Sequence, residues 1–151
     1  MKKLSLLLEE FGQNISQLEK SNTNVSSATV GWQIDHSLKV INSICGQVKK
    51  SDPSQFKKEF SFNRLLVFTT NHIPRGKGTA PKVVQPEGIS TQTELNESLE
   101  KAKNNLEELK LLQGNFYFRH PYFKDLNVKQ TQKFLLLHTL HHLKIVRDII
   151  K

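Results

Sequence analysis

Three histidines near the end of the chain are the residues best suited to chemistry, in the run His138-Thr139-Leu140-His141-His142. His138 and His142 are four residues apart, so on a helix they lie one turn apart on the same face. That spacing lets two imidazole rings bind one metal ion at about 2.0–2.1 Å from each nitrogen. His141 points away from that face and is less suited to the same ion.

The face that carries His138 and His142 also carries Phe134, Leu135 and Ile145, which predicts that both histidines are buried. A buried imidazole without a partner costs on the order of 1–3 kcal/mol, so each ring needs a ligand or a hydrogen bond. From spacing alone, a metal-binding pair and a pair of hydrogen-bonded or surface histidines remain alternatives.

His36 is a third candidate ligand, one helical turn past Trp32 and next to Asp35. Taken alone, a hydrogen-bonded core histidine is the favoured interpretation of this residue. Three neutral imidazoles would leave coordination positions open for water or a substrate. Because no cysteine or paired glutamate lies nearby, such a site favours zinc, nickel or ferrous iron over calcium or magnesium.

Four stretches with helical periodicity must position these residues. The first covers about residues 4–18, and the second about residues 30–50, ending before Asp52-Pro53. The third begins at the capping box Thr91–Glu94, with Gly114 as its terminator, and the last begins at the capping box Asn127–Gln130 and runs to residue 151.

The connection between the second and third helices is long. Residues 60–71 predict a short helix, and the many prolines and glycines of residues 73–88 predict a loop. A crossover of this length permits two helices to run parallel. The fold prediction is therefore all-α: a four-helix bundle in one domain, residues 1–151, with a crossover that carries a short extra helix.

The His36 helix, the long crossover and the terminal His-x-x-His-His group resemble the DinB-like superfamily of metal-binding four-helix bundles. The segment Arg119-His120-Pro121-Tyr122-Phe123-Lys124-Asp125-Leu126, followed by His138–Leu143, is similar to a branch of that superfamily defined by a domain of unknown function. The resemblance implies a metal triad of His36, His138 and His142. It also implies thiol S-transferase and related activities, which occur in some members.

The chain departs from the superfamily pattern at two places. Many members follow the last histidine with Arg-Gly-Gln, whereas this chain has Leu143-Lys144-Ile145, and the loop between Pro74 and Gly88 is peculiar to the branch. Thr139 also stands where the His-Glu-x-x-His motif of zinc proteases has its catalytic glutamate. The usual metalloprotease mechanism therefore has no general base here.

His120 and His141 are candidates for a supporting catalytic role. His120 precedes Pro121, and its loop could bring it to the mouth of the site as an acid–base group, or it could simply hold a turn. The aromatic residues around it, between Phe116 and Phe123, could line a substrate pocket, although a hydrophobic lid over the end of the bundle is the favoured interpretation.

The composition limits the remaining classes of function. The net charge of +8 comes from dispersed lysines and arginines without an RNA- or DNA-binding motif, which makes nucleic acid an unfavoured partner. No apolar stretch is long enough to span a membrane. Cys45 is the only cysteine, so no internal disulfide forms, and we expect a buried, inert thiol in a cytoplasmic protein.

The function predicted from the sequence is a metal-dependent enzyme, either a transferase acting on a low-molecular-weight thiol or a hydrolase, with a divalent zinc, nickel or iron ion. The alternative is a bundle protein of metal binding or stress response without turnover. The sequence leaves open whether the chain forms a homodimer.

Overall fold

The computed structural model describes residues 2–76 and 82–151, and these are mostly helical. The helices are α1 (Lys2–Asn14), α2 (Val30–Lys50), α3 (Phe62–Thr70), α4 (Gln92–Leu111) and α5 (Val128–Ile150). The predicted four long helices and one short helix are confirmed. Gly114 does not end α4, which stops at Leu111; this glycine adopts a left-handed turn with φ of 74° further on.

The long helices pack against one another in pairs. Helix α2 contacts both α4 and α5, and α1 contacts the same two helices. The apolar stripes of the sequence form the shared core, with the fully or almost fully buried side chains Leu4, Leu8, Phe11, Ile34, Leu38, Ile41, Leu106, Leu135 and Leu143. Burial of each such side chain stabilises the fold by about 1.5–3 kcal/mol relative to leaving it exposed.

Side-chain caps fix where the two histidine-bearing helices begin. Thr29 accepts a hydrogen bond from the backbone N–H of Trp32, so α2 starts at Val30 and places His36 in its second turn. Asn127 and Gln130 form the predicted capping box of α5, and the box of Thr91 and Glu94 at α4 is also present. These caps therefore set the register of the ligand-bearing faces.

The all-α prediction holds for most of the described residues, and a short β-hairpin before α5 departs from it. Strand β1 (Tyr117–His120) pairs antiparallel with β2 (Lys124–Asn127), with His120 opposite Lys124. Aromatic residues favour extended backbone, and Pro121 favours the turn between the strands. Four-residue strands are too short to show an alternating pattern, which is why periodicity did not reveal them.

The hairpin is fastened to the crossover by buried polar contacts. Asp125, 1% exposed, accepts hydrogen bonds from the Arg119 guanidinium and from the backbone N–H of Lys57. Arg64 of α3 donates to the carbonyl oxygens of Phe123 and Asp125. These contacts hold α3 and the hairpin together at one end of the helices.

The predicted loop of residues 73–88 contains one helical turn, Lys82–Val84, whose last residue is buried. Residues 77–81 of this loop lie outside the described residues. Across the described ranges 2–76 and 82–151, no helix combines the length and the apolar character that crossing a bilayer requires.

Candidate metal site

Helices α2 and α5 bring His36, His138 and His142 together at their interface. Each of the three side chains offers one nitrogen, and these nitrogens all lie within 4.8 Å of one another. The ring centroids are 5.2 Å apart for His36 and His138, 4.7 Å for His36 and His142, and 4.5 Å for His138 and His142. Three imidazole nitrogens this close can bind one ion after small rotations of the rings.

The tautomers of two of these histidines are fixed by hydrogen bonds. Nδ1 of His36 lies 2.8 Å from the carbonyl oxygen of Val84, and Nδ1 of His142 lies 2.7 Å from Oε1 of Gln33. Because these oxygens only accept, each Nδ1 carries the proton and each Nε2 keeps its lone pair. Metal-binding histidines typically donate their second ring nitrogen to a carbonyl or carboxylate in this way.

Gln33 is itself held in place. Its amide nitrogen donates to Oγ of Ser26 at 3.2 Å, and Ser26 Oγ also accepts from the backbone N–H of Ala28. The amide oxygen is thereby directed at His142. Sequence reasoning missed this residue, although its position three residues before His36 on the same helical face was the available signal.

His138 carries the third ring, and its Nδ1 is buried without a hydrogen-bond partner among the described residues. Such an atom is costly, on the order of 1–3 kcal/mol, unless a ligand or water satisfies it. The ring of His138 lies beside two rings with free Nε2 lone pairs, so three imidazoles are available to one ion. The donor set therefore fits a divalent metal ion.

The electrostatics of the cluster also suit a metal. Burial lowers the pKa of His36, and it lowers the pKa values of His138 and His142 well below the ordinary value, with further lowering from the neighbouring histidines. The rings are therefore neutral at physiological pH, and neutral imidazole is the form that binds metals. Asp35, although next to His36, accepts from Lys39 and Ser90 and does not enter the cluster.

His141 does not join the other three. Its Nδ1 donates to the carbonyl oxygen of Ile73 at 3.0 Å, and burial lowers its pKa. Since Ile73 begins the loop segment and Val84 lies near its end, His141 and His36 each fasten one side of the crossover to the helices.

His120 both holds a turn and lies near the cluster. Its Nδ1 accepts from the backbone N–H groups of Tyr122 and Phe123, at 3.1 and 3.3 Å, so in the neutral ring the proton is on Nε2. Its ring stacks on Phe123 at a centroid distance of 4.2 Å, and burial lowers its pKa to about 4. At neutral pH this side chain is a hydrogen-bond donor and a poor general base.

The cluster opens into a cavity of about 350 Å³ between α2, α5, the hairpin and the crossover. Both His120 and His141 line this cavity, as do Phe118, Tyr122 and Phe123. Part of the aromatic segment between Phe116 and Phe123 thus lines the cavity. The interpretation favoured from the sequence was the other one, a hydrophobic lid over the end of the bundle. Trp32, the only tryptophan, also lines the cavity and stacks on His36 with centroids 5.1 Å apart.

Cys45 of α2 is fully buried in the hydrophobic core of the protein, and burial raises the pKa of its thiol to about 12. The expected burial of this thiol is confirmed, and Cys45 is not among the residues of the histidine cluster.

Comparison of the chain with protein-family models, with curated proteins and with solved structures finds no match. The functional argument therefore depends on the chemistry of the site itself.

Proposed function

We propose that this chain is a metal-dependent enzyme of the DinB-like type, in which His36, His138 and His142 hold a divalent ion. The observation that carries the proposal is the set of three converging nitrogens within 4.8 Å, two of them on rings whose Nδ1 atoms already donate to fixed acceptors. The pairwise packing of the four long helices supports the bundle architecture that this type implies.

The donor set narrows the choice of metal. Three imidazoles without a carboxylate or thiolate suit zinc, nickel or ferrous iron better than calcium or magnesium. Three protein ligands leave at least one position open, and the cavity lies beside the cluster. When bound, such an ion would favour the thiolate form of a thiol or lower the pKa of water towards about 7.

In this proposal the residues around the cluster orient the ligands, line the cavity or donate a hydrogen bond. Gln33 and the Val84 carbonyl orient two of the ligands, and mostly apolar side chains line the cavity. His120 supplies a neutral N–H at Nε2, because its other nitrogen is occupied by two backbone donors. The reaction supported is transfer to or from a small-molecule thiol, or hydrolysis.

A non-catalytic metal-binding or stress-response protein is the second candidate. The observation in its favour is that no carboxylate lines the described part of the cavity, and that His120 is a poor base. A panel of electrophiles, tested with the anionic thiols bacillithiol and glutathione and with an uncharged thiol such as benzyl mercaptan, separates the two candidates. Turnover that disappears on chelation supports the enzyme, whereas metal binding without turnover supports the second candidate.

Metal analysis of protein purified without an affinity tag tests the site itself. We expect close to one equivalent of metal in the wild type and little in His138→Ala or His142→Ala. His72→Ala is the matched control, since His72 is exposed and outside the cluster, and it should keep the metal. Wild-type protein without stoichiometric metal, or unchanged content in both cluster variants, would refute the proposal.

A further inference from the structure

Among the residues that the structure describes, the wall of the cavity beside the histidine cluster is uncharged. None of the described residues that line it is an aspartate, glutamate, lysine or arginine. Its polar side chains are neutral, namely the histidines together with Ser43, Gln47 and the phenol of Tyr122. Away from the proposed ion, a ligand that carried a carboxylate or sulfonate into this space would lose its hydration without gaining a counter-charge from any described residue of the wall.

Three cationic residues next to the wall in the sequence are engaged elsewhere. Arg75, between Pro74 and Gly76, forms an ion pair with Asp148 at 2.8 Å. Lys39, which precedes Val40, pairs with Asp35 at 3.0 Å. Lys133, which precedes Phe134, donates to the carbonyl oxygen of Phe68 at 2.7 Å. Each of these three cationic side chains therefore interacts with a group outside the residues that line the cavity.

Aromatic side chains form much of the wall. They come from three separate parts of the chain, α2, the hairpin and α5, and they are Trp32, Phe118, Tyr122, Phe123 and Phe134. Rings of this kind pack well against the faces and edges of another ring. The volume of about 350 Å³ lies at the lower end of the range of small-molecule sites, roughly 300–1,000 Å³.

We propose that this cavity binds a neutral, largely apolar small molecule with a ring, which presents one donor atom to the histidine cluster. The proposal deepens the proposed function, on which it rests, by naming the ligand class. It selects against anionic thiols, although the net charge of +8 attracts anions to the protein as a whole. Local desolvation in the cavity opposes that long-range attraction.

Two matched probe pairs test the ligand class. For zinc-loaded protein the pair is benzyl mercaptan and 4-(mercaptomethyl)benzoate, which share the thiol and the ring and differ by one carboxylate. For metal-free protein the pair is N-phenyl-1-naphthylamine and 8-anilino-1-naphthalenesulfonate, which differ by one sulfonate. We expect the neutral member of each pair to bind about tenfold or more tightly, measured by calorimetry and by Trp32 fluorescence.

Substitutions of residues that line the cavity test whether the probes bind inside it. Ile44 lines the cavity, so Ile44→Phe should fill it and abolish binding of the neutral probes. Ser43 also lines the cavity and is only partly buried, so Ser43→Lys should reverse the preference towards the anionic probes. Asn96→Lys adds the same charge at an exposed position on α4 and should leave the preference unchanged.

The outcomes are distinguishable. If the protein binds no metal but the neutral dye binds and Ser43→Lys shifts the preference, the proposed function fails and the ligand class stands. If wild-type protein prefers the anionic member of both pairs, or if Ser43→Lys and Asn96→Lys behave alike, the ligand class is wrong whatever the metal content.

Discussion

Gln33 on α2 accepts a hydrogen bond from Nδ1 of His142 on α5 across 2.7 Å, and so joins the two helices that supply the candidate ligands. The contact does three things at once. It satisfies a buried N–H, fixes the tautomer of His142, and leaves the Nε2 lone pair of that ring free for an ion.

Replacing Gln33 by leucine should weaken metal binding without removing a ligand. We expect metal affinity to fall by about 10–100-fold, the usual effect of losing such a supporting hydrogen bond. Competition with a chelator of known affinity measures this change. Gln132→Leu on α5 is the matched control, because Gln132 is outside the cluster and the cavity wall. Equal affinities for the two variants would contradict the orienting role of Gln33.

Acidification should destabilise the metal-free protein through its buried histidines. Burial lowers the pKa values of His36, His138 and His142, and that of His120 to about 4, from an ordinary value of 6.5. Below pH 6.5 the unfolded chain therefore binds protons that the folded chain does not, and stability falls as the pH falls. Each such histidine contributes up to about 1.4 kcal/mol per pH unit.

Urea unfolding at pH 7.5, 6.5 and 5.5 measures this dependence. His120→Asn removes one of the titrating rings, and the amide oxygen can still accept from the backbone N–H groups of Tyr122 and Phe123. Its stability should therefore fall less steeply with acid than that of the wild type. A variant with the same slope as the wild type would show that His120 is protonated in the folded chain.

Helical periodicity and caps made much of the fold predictable. The capping boxes at Thr91 and Asn127 place the starts of α4 and α5, and a four-residue spacing puts His138 and His142 on one face. The approach of His36 to that pair is a tertiary contact between two helices. No local pattern encodes it, so at the sequence level its assignment as a ligand depended on the family resemblance.

The hairpin, and the hydrogen bonds that support the hairpin and the histidine cluster, could not be predicted from the sequence. Strands of four residues give too little alternation to detect, and Asp125, an acidic residue, is 1% exposed because Arg119 and the Lys57 N–H satisfy it. The acceptor of His36 is the Val84 carbonyl, a backbone atom of the crossover that no side-chain pattern identifies.

Cys45 should resist thiol reagents in the folded protein. Its sulfur is fully buried, and with a pKa of about 12 almost none of it is thiolate at pH 8. We expect Ellman's reagent to modify it only at the rate of unfolding, and to release one equivalent in guanidinium chloride. Rapid stoichiometric modification of native protein would contradict the buried environment and would show that this thiol is reactive.

Asp125 should contribute more to stability than its ion-pair partner Arg119. Asp125→Ala leaves the Lys57 N–H without its acceptor and frees the hairpin, which should cost about 1–3 kcal/mol. Arg119→Ala removes a side chain that is 63% exposed and leaves the buried carboxylate its hydrogen bond from the Lys57 N–H, so it should cost less, about 1 kcal/mol. Because the pKa of Asp125 is lowered, its contribution is present at neutral pH and disappears as the pH falls through the acidic range.

Chemical unfolding of both variants measures these costs, and dye binding measures their effect on the cavity. Phe118 of β1 and Phe123 beside β2 belong to the cavity wall, so loosening the hairpin should weaken binding of N-phenyl-1-naphthylamine in Asp125→Ala but not in Arg119→Ala. Equal costs for the two variants would mean that the ion pair, and not the burial of the carboxylate among backbone donors, fastens the hairpin.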